Sequence, residues 1–346
     1  MRSVLFGNEG NQNRQSNYEL LRLIAMFFIV LYHFLRWFVR DNPSFSVMKS
    51  FWLPLHVGVI CFILISGYFM IKPSSKGFIK LVLMVFVYSL PSIIVGIKDA
   101  GNWHDLLHSF MFVSRTNYWF VRTYLGLYLF SPLINAFLNH SSIKAKWYML
   151  IVSGIISIYL GNISGYNLYS DGKNLVNFLF LYQLGHMLSY YSKKWKEVKI
   201  WKVVSAYVLL NVLLVVGYYC SFETSFGDIL WRFSFPYNSL LLIVNAVLLF
   251  MLVGRMSFKS MLVNRLSAGV FAIYLIHCCI PMVMDFQTEI VSGIFSFSSN
   301  YLMFVGLLVI LALVVMLLCL IINWLLSPIW LLTNSLGCWA NKKLGF

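Results

Sequence analysis

The chain has 346 residues, 60% hydrophobic and 11% charged, with a mean hydropathy of +0.79. That composition excludes an ordinary soluble domain and matches a polytopic membrane protein. The formal net charge of +15 invites a nucleic-acid reading, but no nucleic-acid motif accompanies it, so no such partner is expected.

Residues 1–16 form a polar N-terminal lead without the basic start or small-residue cleavage site of a signal peptide, so the first span is expected to stay in place. Ten apolar segments follow within 17–330. They run from about Tyr18 to Val39, Phe51 to Ile71, Phe78 to Ile97, Tyr118 to Leu138, Trp147 to Leu160, Leu175 to Tyr191, Val203 to Cys220, Pro236 to Val253, Ser267 to Met284 and Tyr301 to Trp324. The fifth is short for a crossing. Residues 331–346 read as a cytoplasmic tail. The expected fold is all-α, a bundle of about ten transmembrane helices set in the lipid bilayer. Five of the six cysteines (Cys61, Cys220, Cys278, Cys279 and Cys319) lie in apolar runs, with no spacing that fits a metal or a disulfide framework. They read as small buried side chains, and no metal is expected.

An even number of spans puts both termini on one side. That side holds 18 of the 26 Lys and Arg residues, most densely in Lys193-Lys194-Trp195-Lys196, while eight of the eleven acids fall on the other. The positive-inside rule then places both termini in the cytoplasm, and topology accounts for the net charge.

The first span carries Arg22 and His33. Eleven positions at ~100° each give three turns plus about 20°, so both side chains fall on one face with a rise of roughly 16 Å between them. Ionisable groups at this depth usually face a bundle interior or a wet cavity. The plain alternative is an arginine that snorkels to the headgroups and a histidine that bonds a neighbouring helix. Ser66-Gly67 in the second span fits close helix packing. Trp119 and Arg122 open the fourth span, and Tyr274 and His277 sit near the middle of the ninth. His186 reads as a satisfied core histidine. His56, His104, His108 and His140 lie at span ends or in loops and read as solvated.

Four segments occur in register: Arg22 to His33, Ile65-Ser66-Gly67-Tyr68-Phe69, Trp119-Phe120 with Pro132, and Ser267 through Ile273-Tyr274-Leu275-Ile276-His277. Together they resemble acyltransferase family 3, the membrane acyltransferases that modify cell-surface sugars. Glu19-Leu20-Leu21-Arg22 is most similar to the branch that O-acetylates exopolysaccharide and capsule. The resemblance implies a multi-pass enzyme of the bacterial cytoplasmic membrane with no bound cofactor. Its donor substrate would be cytoplasmic acetyl-CoA, and its acceptor a cell-surface or lipid-linked sugar. It implies catalytic roles for His33 and Arg22 and donor binding by Arg22, and it makes Trp119, Arg122, Tyr274 and His277 candidates for the acceptor side. Lys72, Lys76 and Lys80 stand where the family often has arginines, so they can attract phosphate but lack the bidentate fork. Many relatives carry a periplasmic esterase-like domain that is not expected here. Two rival readings are a transporter or flippase, for which inverted repeats are the usual sign, and an acyl carrier that serves a separate transferase.

Overall fold

A computed structural model of the protein describes residues 15–98, 102, 103, 105, 118–164, 170–330 and 335. Expectations about residues 1–14, His104, His108 and most of the C-terminal tail lie outside the described residues. Every regular element among the described residues is helical.

Helix α1 covers Ser16–Asp41. A 3-10 segment, Pro43–Phe51, leads into the single turn α2 (Trp52–Leu55) and then α3 (Gly58–Phe69). Helix α4 is Ser75–Lys98, α5 is Trp119–His140, and α6 (Ile143–Gly154) continues as a π-helix, Ile155–Ile163. Then follow α7 (Leu175–Tyr190), α8 (Ser192–Glu197), α9 (Ile200–Ser221), α10 (Ser225–Ser234) and α11 (Leu240–Gly254). The last four are α12 (Met261–Ser267), α13 (Val270–Cys279), α14 (Pro281–Phe297) and α15 (Tyr301–Leu325).

Each of the ten expected segments coincides with helix. Among the described residues, seven stretches are long and apolar enough to cross a bilayer: Ser16–Asp41, Pro43–Phe69, Ser75–Lys98, Ile143–Ile163, Ile200–Ser221, Met261–Cys279 and Tyr301–Leu325. Rows of exposed apolar side chains, such as Leu209, Val212, Leu213 and Val216 on α9 or Leu313, Leu317 and Ile321 on α15, fit contact with lipid. The protein is an all-α polytopic membrane protein.

Several boundaries differ from the sequence reading. The ninth segment stops at Cys279 rather than Met284, because Pro281 opens a new helix and holds Ile280 in an extended conformation (φ −100, ψ 110). Four expected loops contain helices, α8, α10, α12 and most of α14. Cys220 is exposed, while Cys61, Cys278, Cys279 and Cys319 are buried as expected.

The chain divides into two compact units. The first holds the described residues of Gln15–Ile71 and Leu129–Ser260, and the second those of Lys72–Tyr128 and Met261–Phe346. Within the first, α1 and α3 are central; α3 is apolar throughout and mostly buried, whereas α1 is amphipathic and leaves Arg22 half-buried and Arg36 exposed. Helix α3 lies directly on α7. A Cβ on Gly67 would stand 2.0 Å from the Tyr182 carbonyl oxygen, and one on Gly185 2.3 Å from that of Leu64. The small residues let the two backbones touch. The end of α3 is then fixed by a closed ring of hydrogen bonds. The Ile71 N–H donates to the Tyr182 hydroxyl (2.8 Å), that hydroxyl donates to Asn135 Oδ1 (2.7 Å), and Asn135 Nδ2 donates to the Ile71 carbonyl (2.8 Å). In the second unit, α13 packs on α4, α14 and α15, and the Tyr88 hydroxyl of α4 donates to Asn323 of α15 at 2.9 Å.

Candidate functional site

The far end of α1 carries a layer of rings. His33 is half-buried and stacks on Trp37, one turn on, with ring centroids 5.7 Å apart and planes at 19°. Tyr32 lies beside it at 5.4 Å and reaches Trp52 at 5.6 Å and His56 at 4.8 Å. His56 is only 5% exposed, which overturns its reading as a solvated histidine. Its ring lies between Phe235 (4.2 Å, 4°) and Tyr237 (4.2 Å, 29°). Its Nδ1 is 2.7 Å from the Phe235 carbonyl. A carbonyl only accepts, so Nδ1 holds the proton and the neutral ring presents Nε2 as an acceptor.

A tight turn flanks this layer. Asp171 (φ 56) and Gly172 (φ 78) both adopt left-handed backbone, which an L side chain takes up at a cost of order 1 kcal/mol. A buried amide network holds them there. Asn177 Nδ2 donates to the carbonyls of Gly172 (2.9 Å) and Tyr237 (3.2 Å), and Ser157 Oγ donates to Asn177 Oδ1 (2.9 Å). Asn238 Nδ2 donates to the Ser157 carbonyl (2.7 Å), and the Tyr237 N–H donates to the Asp171 carbonyl (2.9 Å). Ser157 belongs to the π-helix, a form frequent at functional sites. Asp171, Lys173 and Arg36 lie within electrostatic reach of one another around Tyr32. Burial holds the Lys173 ammonium below the ordinary lysine range; Asp171 opposes that shift and Arg36 adds to it.

The near end of α1 is built differently. Arg22, expected as an open cation, pairs with Glu19: Nη1 donates to both carboxylate oxygens at 3.0 Å. The spacing is i to i+3, so Glu19 was available as a partner in the sequence. Asn17 Nδ2 donates to the carbonyls of Gly254 (3.2 Å) and Val253 (3.4 Å), which ties the start of α1 to the end of α11. Arg255 follows directly, with its guanidinium carbon 5.7 Å from the centre of the Trp195 ring. Helix α1 is continuous from Ser16 to Asp41, so Arg22 and His33 keep their spacing of roughly 16 Å along one rod.

The other candidates belong to the second unit. Lys72 precedes α4, and Lys76 and Lys80 lie on its first turns; Lys72 and Lys80 are exposed and Lys76 is half-buried. Trp119 and Phe120 open α5, Phe120 meets Tyr274 of α13 at 5.5 Å, and Tyr274 lies 6.5 Å from His277. His277 is fully buried, with Nδ1 donating to the Ile273 carbonyl at 2.7 Å. The structure thus joins Trp119, Tyr274 and His277 through a chain of rings. The Arg122 side chain, on the same helix as Trp119, is exposed.

Residues 15–324 match the family model described as an acyltransferase domain, that of acyltransferase family 3. The chain belongs to this family. Two curated relatives from Staphylococcus epidermidis, one of them from strain RP62A, are each described as a probable poly-beta-1,6-N-acetyl-D-glucosamine export protein. Both are 28% identical over 163 residues, which is 44% of this chain and 43% of the relative. The chain therefore spans less than half the length of the curated relatives it matches. No solved structure matches it.

Sequence reasoning misses three features beside the expected site residues. His56 was taken for a surface residue because its stacking partners lie about 180 positions away in the chain. The Asn177 network joins residues from three segments and has no local signal. Arg255 was counted only as a topogenic charge. His186 also departs from expectation, since its Nε2 is buried with no partner among the described residues.

Proposed function

We propose that this acyltransferase moves an acetyl group from cytoplasmic acetyl-CoA to a hydroxyl of a cell-surface or lipid-linked sugar, in a bacterial cytoplasmic membrane. The observation that carries the reading is a titratable ring, His33, held by stacking along a membrane helix that begins with an arginine, inside a chain that matches an acyltransferase domain over nearly its whole length.

The pantetheine arm of the donor is of the right order to follow the roughly 16 Å of helix between Arg22 and His33. As general base, the His33 imidazole takes the sugar hydroxyl proton while that oxygen attacks the thioester carbonyl. The carbon–sulfur bond breaks, and the CoA thiolate leaves and takes up the proton. As nucleophile, His33 first displaces the thiolate itself and forms an acyl-imidazole, which the sugar oxygen then opens. Tyr32 and Trp37, packed against the His33 ring, hold it in place for either step. In the second unit, Tyr274 and His277 have a supporting role on the acceptor side.

The description of the relatives as probable export proteins favours a second reading, export of poly-β-1,6-linked N-acetylglucosamine without acyl transfer. One experiment separates the readings: purified full-length protein in detergent, labelled acetyl-CoA, and oligomers of that polysaccharide or other surface glycans as acceptors. The enzyme reading expects label on the sugar. It also expects at least a hundredfold loss in His33→Ala at normal protein level, and a smaller loss in His277→Ala. Label that stays on the protein marks the carrier, and label on neither marks the exporter. Near-parental transfer by His33→Ala would move the catalytic role to His277.

A further inference from the structure

Arg255 carries two N–H groups, at Nε and Nη1, that are buried and have no hydrogen-bond partner among the described residues. Buried guanidinium groups are normally paired, because removing a charge from water without a counter-ion is strongly unfavourable. Among the described residues no carboxylate pairs with it; Glu19 is engaged by Arg22 at 3.0 Å. The Nη2 group donates to the Trp195 carbonyl, and the guanidinium lies over the Trp195 ring. Those contacts hold the group in place without neutralising it.

Capping of the end of α11 is the ordinary explanation for an arginine at this position. It does not account for the geometry, since the Nη2 group donates to the Trp195 carbonyl and not to a carbonyl of α11. The surroundings are also positive. Lys196 Nζ lies 5.5 Å from the centre of the same Trp195 ring, and Lys193, Lys194 and Lys199 are exposed on the same short stretch of chain. The backbone here is fixed. Gly254 has no room for a Cβ, which would stand 2.9 Å from Trp195 and 3.0 Å from the Tyr18 hydroxyl. Trp195 is anchored by Nε1 donating to the Leu188 carbonyl at 2.8 Å. A side chain with unused donors, on a rigid support beside the start of α1, is built for an anion that arrives from outside the chain.

We propose that Arg255 binds a phosphate group: its guanidinium leaves the Trp195 carbonyl, and Nη2, so freed, joins the unused Nε as the fork that meets two phosphate oxygens. A nucleotide diphosphate or phosphomonoester of the acyl donor and the phosphate of an anionic lipid share this chemistry. The nucleotide assignment rests on the acetyl-CoA reading above.

The test uses the full-length protein in nanodiscs and two phosphate probes: adenosine 3′,5′-bisphosphate in neutral phosphatidylcholine discs, and phosphatidylglycerol in the discs without nucleotide. The parent is expected to gain thermal stability from at least one. Arg255→Gln is expected to lose that gain with a ten- to hundredfold weaker affinity, and Arg255→Lys to keep part of it. Loss confined to the nucleotide assigns Arg255 to the donor, and loss confined to phosphatidylglycerol assigns it to a lipid. If neither probe stabilises the parent, or both act equally on parent and folded Arg255→Lys and Arg255→Gln, Arg255 is a packing residue and the proposal falls. Acetyl transfer is measured alongside: a parent that binds the nucleotide yet transfers nothing refutes the enzyme reading and leaves the Arg255 assignment standing.

Discussion

Arg22 and Glu19 show how a single contact changes the meaning of a residue. The arginine was chosen for its position on the face of His33, and that position holds in α1. Its charge is already matched by Glu19, so a donor phosphate must compete with a carboxylate. Charge-assisted hydrogen bonds contribute about 1.5–3 kcal/mol each, and ~1.4 kcal/mol is a tenfold change in affinity. Arg22→Ala is therefore expected to weaken acetyl-CoA binding by roughly ten- to a hundredfold, and Arg22→Lys to recover part of it. Calorimetry on purified, folded variants reads this directly. Parental affinity in Arg22→Ala together with lost transfer would assign Arg22 to the acceptor or to packing. The pairing was legible in principle, because Glu19 is three positions away on a helix. The burial of His56 was not, because no local pattern announces partners from 235–237.

At the scale of elements, periodicity and apolar length located the helices well, and special contacts set their ends. Pro281 splits a run that reads as continuous, and the Asn135–Tyr182–Ile71 ring ends α3 where apolarity alone would carry on. The Ser66-Gly67 pair was read as packing, and its partner across the interface is Gly185. Because a Cβ on Gly185 would meet the backbone oxygen of Leu64, no side-chain shift can relieve it. Gly185→Val is expected to lower stability by about 1–3 kcal/mol or more, seen as a lower thermal midpoint and less protein in the membrane. Gly293 meets nothing within 4 Å, so Gly293→Ala should be neutral or gain ~0.5–1 kcal/mol. A loss of equal size in Gly293→Ala, where propensity favours alanine and nothing lies within 4 Å, would overturn the reading that local contact governs these positions.

For the whole molecule, the hydrophobic composition made the membrane architecture legible, and the two-unit division was not, since each unit draws on distant parts of the chain. The orientation argument remains a matter of counted lysines and arginines. Tags at both termini and in the Lys193–Lys202 stretch are expected to be accessible only from the cytoplasm, and reporters near Asp171 and Asp285 only from outside. Cysteine accessibility in intact cells measures this. An external Lys193–Lys202 stretch would reverse the sense of α1 and put Arg22 on the wrong side for a cytoplasmic donor.

The Trp37 ring lies on His33 with nearly parallel planes. An indole beside an imidazole emits differently when that neighbour becomes a cation, since the charge draws on the indole π-system. The fluorescence difference between the parent and Trp37→Phe, followed through a pH titration, is thus expected to trace a single proton joining His33, and to be flat if His33 is replaced by Gln. The candidate base therefore carries its own optical reporter, readable in the resting protein before any donor or sugar is added.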